Sequence, residues 1–347
     1  RMSIKKYLLF YIISTCAIIF VSLTFFFLPL KSIDSRSYEV LHTISQYGVI
    51  TNKDEWRNIL ELTRYGRKVT NVDNLNTLVY GVNKHSSVKQ ISSDKDMDNM
   101  ETLKLPSISK YEDLTIINIP SVYSNDDNFS IKYASKLTDL IEYTSGNIVL
   151  NLSNNYGGLK EPMIIGASSL IPNGMLFSNI NNKKEKYPVY LKNGKLFGGI
   201  PGTINELNLY KLSLHKKKLG KKVAVVINNN TASAAESLLL ALKNNPNVKV
   251  FGMPSAGYTS VNLGRFFTNQ NSDNYWWFVY TVGYYETIKP IKGKWLFNNQ
   301  PVPPDYYVDL SMLDRNTQDI TQFSNTKKLF KKIKNWINSD WVEGTLK

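Results

Sequence analysis

Ser233 stands at the entry to a helix, surrounded by the groups a hydrolytic nucleophile needs. VAVVINNNTASAAESLLLALK runs from an apolar strand, through an asparagine-rich turn, into a helix beginning near Ala232. The first turn of a helix holds backbone N–H groups without acceptors and the positive end of the helix dipole. A serine there, with the N–H of Ala234 behind it, faces donors that stabilise a developing oxyanion. Upstream, SNNYGG places Gly157 and Gly158 in a turn after another strand, able to offer N–H groups to the same space. Three histidines, His42, His85 and His215, are candidates for a general base. His42 falls in an early helix, His215 in the basic run LHKKKLGKK, and His85 in a polar loop before the core. An imidazole with an ordinary pKa near 6.5 accepts a serine proton at neutral pH and returns it to a leaving amine.

These residues are carried by alternating strands and helices. LTIINIP (114–120) reads as a strand, FSIKYASKLTDLIEYTSG (129–146) as an amphipathic helix, and NIVLNLS (147–153) as a buried strand. A helix is predicted over 162–170, strands over 223–229 and 248–253, and the Ser233 helix over 232–245. Such alternation implies an α/β core with βαβ crossovers. Ahead of it, 35–70 reads as a small helical hairpin and 83–105 as an exposed loop system. At the other end NTKKLFKKIKNWINSDW (325–341) lines up Leu329, Ile333, Trp336 and Ile337 against lysines, a face that packs on the body or lies on an anionic surface. The aromatic stretch 274–285 reads as a core strand.

The order strand–NLSNNYGG–helix, strand–NNNTASAAE–helix, strand–GMPSAGYTSVN (252–262), closed by QPVPPDYYV (300–308), resembles the C-terminal processing, or tail-specific, serine proteases. The resemblance spans about 78–310. Within that family the TASAAE hexapeptide, the KHS tripeptide (84–86) and GG–PMIIGASSLIPNG (157–174) are most similar to the nisin resistance proteins. It implies a tail-specific-protease-like α/β core, Ser233 as nucleophile and His85 as base, with the oxyanion held by Ala234 and by Gly157 or Gly158. Two departures matter. Tyr258 occupies the slot where many relatives carry a lysine, and a phenol with a pKa near 10 is a poor base at neutral pH. Asn151–Leu152–Ser153 replaces the family's Asp–x–Arg at the glycine turn, which removes an ion pair expected to stiffen it. The stretch between His85 and residue 147 is too short for the usual inserted PDZ domain. Spacing alone gives no third member for the dyad; Ser86 and Glu236 are candidates to orient His85 or line the cleft.

Composition sets the surroundings. Residues 7–30 carry no charge and, as a helix, would span a hydrocarbon core of about 30 Å, with Arg1, Lys5 and Lys6 in front. The expectation is a cytoplasmic tip and transmembrane anchor (1–31), a helical region (32–77), a peptidase cap and core (78–323) and a C-terminal amphipathic helix (324–347), the body lying outside the cell membrane. The net charge of +14 favours anionic lipid or wall polymer, and no nucleic-acid motif accompanies it. The lone Cys16 excludes an internal disulfide and a cysteine-built metal site; nothing calls for a metal or cofactor. The resemblance implies a lantibiotic as peptide substrate, clipped at its C-terminal tail. A general processing peptidase of exported proteins and a catalytically silent peptide-binding protein are the alternatives.

Overall fold

A computed structural model describes residues 35–64, 71–92, 101–205, 216–269 and 272–339. The uncharged run 7–30 and His215 lie outside them, and no helix among the described residues is long and apolar enough to cross a membrane. The described chain opens with α1 (Ser35–Tyr47), α2 (Lys53–Arg64) and α3 (Val72–Val82). The last is one helix more than the hairpin expected over 35–70. Its sequence, VDNLNTLVYGV, is rich in Val and Asn and so poor in helix propensity. An Asn71 side-chain cap on the Asn74 N–H and burial of Leu75, Val79 and Val82 hold it instead. Next comes β1 (Ser87–Ile91), a strand inside the segment expected to be loop. Its partner in the sheet is almost two hundred residues away, which local composition does not reveal.

The core follows as β2 (Thr102–Leu103), β3 (Ser107–Tyr111), β4 (Leu114–Asn118), β5 (Val122–Tyr123), α4 (Asp127–Tyr143), β6 (Asn147–Asn151) and α5 (Lys160–Gly166). An antiparallel set, β7 (Gly174–Asn181), β8 (Lys186–Lys192) and β9 (Lys195–Gly198), intervenes before β10 (Val223–Ile227), α6 (Ala234–Leu242) and β11 (Val248–Gly252). The chain ends with β12 (Ser260–Asn269), β13 (Ser272–Ile291), β14 (Lys294–Phe297), β15 (Tyr306–Tyr307) and α7 (Thr326–Ile337). One sheet has the order β15-β11-β10-β6-β4-β3, parallel except for β3. The other runs β1-β13-β7-β8-β9 with β12 and β14 also on β13, and is antiparallel throughout.

Strand β10 shows why the parallel sheet is buried on both sides. Val223, Val225 and Ile227 point into the main core with Leu238, Leu239 and Leu242 of α6, while Ala224 and Val226 point to a second core. Leu329, Phe330, Ile333 and Trp336 of α7 close that second core. The C-terminal helix therefore spends its apolar face on the body and turns Lys327, Lys328 and Lys331 to solvent. Successive strand residues face opposite sides, so continuous apolar runs mark strands covered on both faces.

Candidate active site

Ser233 sits between the C-terminal end of β10 and the first residue of α6, at the strand ends where open α/β sheets place their ligands. Its backbone has φ 56° and ψ −115°, a conformation a residue with a Cβ rarely adopts. Two neighbours hold it there. Glu236 reaches back one turn and accepts the Ser233 N–H at 2.9 Å. Gly157 (φ +100°) lies so close that a Cβ on it would come within 2.7 Å of Ser233 Cβ.

Glu236 is fully buried and gathers the third segment of the site. Its Oε1 accepts the Gly257 N–H at 2.8 Å and the Ser255 hydroxyl, and its Oε2 accepts the Tyr258 N–H at 2.7 Å. Burial pushes its carboxyl up to about 7, against the pull of those four donors. His85 is not among the hydrogen-bond partners of Glu236, which clamps the Ser233 turn to the 255–258 loop.

The glycine turn is fixed without the missing ion pair. Asn151 Oδ1 accepts from the N–H and hydroxyl of Ser153, and Asn151 Nδ2 donates to Asn118 Oδ1 and to the Gln318 carbonyl. Asn154 and Asn228 exchange hydrogen bonds at 2.8 and 2.9 Å, Thr231 Oγ1 donates to the Leu152 carbonyl, and the Ala232 N–H donates to the Asn155 carbonyl. The expected loss of rigidity at Asn151–Leu152–Ser153 is thus made good by amides, joining the glycine turn directly to the serine turn. The Gly157 N–H is taken by Asn155 Oδ1 at 2.9 Å. Among the described residues the N–H groups of Gly158 and Ala234 have no such acceptor, and Gly157 lies against Ser233 Cβ and the Ala234 nitrogen.

His85 lies in the turn between α3 and β1. Asn83 Oδ1 accepts its N–H, and Asn262 Nδ2 donates to its carbonyl. Its ring meets the Tyr258 ring edge-on, centroids 5.1 Å apart, so it is one residue from the Glu236 clamp. Nδ1 is 2.6 Å from Ser260 Oγ. Desolvation, reinforced by the adjacent Lys84 ammonium, lowers its pKa to about 3. Lys84 itself donates to the Ala256 carbonyl and lies 4.7 Å over the Tyr258 ring. Ser86 is turned away from the imidazole: its hydroxyl donates to Thr281 Oγ1 and accepts the Thr281 N–H. Ser260, not Ser86 or Glu236, is the side chain on the imidazole nitrogen. Sequence reasoning passed over it because 175 positions separate it from His85, although it lies inside the GYTSVN segment already singled out. His42 is exposed on α1, stacked on Tyr38.

The two glycines should fail to different degrees. Gly157→Ala should lower kcat by roughly 100-fold and also lower the melting temperature, because at φ +100° its Cβ would press on Ser233 Cβ and on the Ala232 carbonyl, and misplacements of about 1 Å cost that much in rate. A Cβ on Gly158 would meet the Val122 carbonyl oxygen at 1.9 Å, where the isolated bridge between Val122 and Gly158 joins the turn to β5. Gly158→Ala should therefore lower the melting temperature further than Gly157→Ala does, as well as lowering activity. Equal melting temperatures for the two variants would contradict this order.

The sequence pattern of peptidase family S41 matches residues 113–308, more than half the chain. The nisin-resistance protein of Lactococcus lactis subsp. lactis is 30% identical over 231 residues, covering 64% of this chain and 69% of that one. A lipoprotein from Streptococcus agalactiae superposes with a TM-score of 0.65 at 24% identity, over 88% of this chain and 96% of that structure. A peptidase-like structure from Parabacteroides merdae has a TM-score of 0.55 at 14% identity over the same shares. These two share the fold.

Proposed function

The chain belongs to peptidase family S41, and from that premise we propose that it is a membrane-anchored serine peptidase acting outside the cell on a nisin-like lantibiotic. The observation that carries the chemistry is the strained Ser233, pinned by Glu236 and Gly157 and followed by the Ala234 N–H, which has no acceptor among the described residues. Ser233 Oγ attacks the scissile carbonyl while His85 takes its proton. Since Nδ1 faces Ser260 Oγ, Nε2 is the nitrogen left for that transfer. In the tautomer this role requires, Nδ1–H donates to Ser260 Oγ and Nε2 is the basic nitrogen. The oxyanion is held by the N–H groups of Ala234 and Gly158, each typically contributing about 3 kcal/mol in the transition state. His85 then gives its proton to the leaving amine, the acyl-enzyme forms, and water releases the acid with the same base. Tyr258 supplies a backbone N–H to Glu236 and a ring wall to His85 rather than a base.

Residues 7–30 form the anchor in this reading, with 1–31 as tip and span and 32–347 outside. The relative's name supports a lantibiotic as substrate, and the flexible tail beyond the last lanthionine ring is the stretch able to extend across Ser233. Mass spectrometry of a nisin-like lantibiotic incubated with the full chain should show one cut in that tail and none inside a ring. A linear tail peptide should be turned over much more slowly, because binding energy from the rings positions the bond. Cleavage of unfolded protein tails with no cut in any lantibiotic would move the chain to general processing. Protection that persists in Ser233→Ala would make it a sequestering protein.

A further inference from the structure

Beyond the catalytic site, the outer half of the β12–β13 hairpin carries apolar surface that the fold does not use. Its two faces differ sharply. Phe267 and Trp276, directly paired, are 5% and 3% exposed beneath α1, and the Arg36 guanidinium lies 4.2 Å over the Trp276 ring. On the opposite face Phe266 pairs with Trp277, ring centroids 4.4 Å apart, and Tyr275 follows two residues from Trp277. Phe266 is 46% exposed and Tyr275 47%. Gly264 is the reason the indole lies flat: a Cβ there would fall 2.0 Å from Trp277 Cη2, so any other residue would push the ring aside. Lys89 of β1, opposite Trp277 in register, adds an exposed ammonium to the same face.

The position of this face in the chain says what covers it. Arg36 fixes the start of α1 at the hairpin's outer half, while the Val49 N–H, after its end, donates to the Thr281 carbonyl nearer the base. The helix thus runs from the outer part of the hairpin inward. Six steps of chain separate the uncharged run 7–30 from Arg36, at most about 3.5 Å each, so Arg36 lies within about 20 Å of where that run ends. Phe266, Trp277 and Tyr275 thus lie on the same outer half of the hairpin as the point from which the chain leads back to that run. Tyr and Trp rings favour the level of the lipid headgroups, being apolar in body and polar at one edge, and a neighbouring lysine suits anionic lipid.

We propose that the Phe266–Trp277–Tyr275 face, with Lys89, rests on the anionic bilayer in which the chain is anchored, making a second membrane contact that fixes the orientation of the peptidase body. The proposal rests on residues 7–30 as a membrane span. The contact would hold the body to one tilt instead of leaving it to swing on a short tether, so the active-site mouth keeps a constant height above the surface.

The test uses the full chain carrying Cys16→Ser and a single cysteine at Phe266→Cys, labelled with an environment-sensitive fluorophore. It is reconstituted in phosphatidylcholine–phosphatidylglycerol vesicles containing a nitroxide lipid labelled near the headgroup. The same label at Lys89→Cys gives a second report from that face, and at Lys328→Cys on α7 a control. All are surface positions outside the catalytic site, and peptidase activity confirms that each variant is folded. The expected result is blue-shifted, nitroxide-quenched fluorescence at 266 and 89, with unquenched emission at 328. If the chain stays with the vesicles through an alkaline wash but 266 and 89 match 328, the contact is overturned and the anchor stands. If the full chain does not associate with vesicles at all, the anchor and the contact fall together.

Discussion

Alanine at Ser233 and alanine at His85 should each reduce peptide hydrolysis on the order of 10⁴-fold, and the double variant should be little worse than either, because groups acting as one unit are not additive. Tyr258→Phe should keep most activity, since its backbone N–H to Glu236 and its ring against His85 both remain. The pH profile sharpens the test. With its pKa lowered to about 3, His85 stays neutral throughout the mildly acidic range, so its protonation sets no acid limb near pH 6. Ser260→Asp places a carboxylate on Nδ1, favours the imidazolium and should move the acid limb upward. Ser260→Thr retains the hydroxyl and should retain the wild-type profile. Near-normal turnover by His85→Ala would show that the proton goes elsewhere.

The largest stability effect should come from Glu236→Ala. It leaves the N–H groups of Ser233, Gly257 and Tyr258 and the Ser255 hydroxyl without their acceptor, in surroundings closed to water. At about 1–3 kcal/mol for each orphaned donor, the loss should exceed about 3 kcal/mol. Thermal melts should show a fall of at least about 4 °C, since about 2.1 cal/mol/K per residue over 347 residues makes each kcal/mol worth roughly 1–1.5 °C. Glu236→Gln is milder but still unfavourable, because whichever way the amide turns, its NH₂ faces at least one backbone donor. The two variants also expose the pH dependence. The Glu236 carboxyl titrates near 7 when folded and near 4.5 when not, so its contribution is full below pH 4.5 and is lost as pH rises through 7. His85 runs the opposite way: its contribution is full above pH 6.5 and is lost as pH falls towards 3. The two oppose one another between 4.5 and 6.5. Glu236→Gln leaves the histidine unopposed, so its melting temperature should rise with pH across that window more steeply than the wild type's. Parallel pH curves for the two proteins would contradict this assignment.

The parallel core was legible in the sequence because each of its strands is a continuous apolar run. VAVVI and NIVLN are covered on both faces, and the glycine turn and NNNTAS that follow them mark where strands end. Helix α3 was not legible, since its stability comes from an Asn71 cap and tertiary burial rather than from its own residues. The antiparallel sheet was mostly hidden as well. Strand β13 runs 20 residues and pairs in turn with β1, β12, β14 and β7, contacts fixed by tertiary packing and not by local pattern. In the proposed site, Ser233 and the glycine turn were singled out from local sequence, and His85 from family likeness. The roles of Glu236 and Ser260 were not: one depends on a side chain folding back on its own helix start, the other on the meeting of β12 with a distant loop.

The amide clamp around the glycine turn has a further consequence. Asn151, Ser153, Asn154, Asn228 and Thr231 hold that turn to the serine turn with neutral groups, where relatives in the family use a charged pair. Mobile ions screen attraction between charges over a Debye length of about 8 Å at physiological salt, but they leave hydrogen bonds between amides untouched. Brine or a dense polyanionic wall, which would reshape the field around a body of net charge +14, therefore has little hold on the alignment of the turns themselves. Where the enzyme resides becomes a question of electrolyte, while the fit of its catalytic groups stays independent of it.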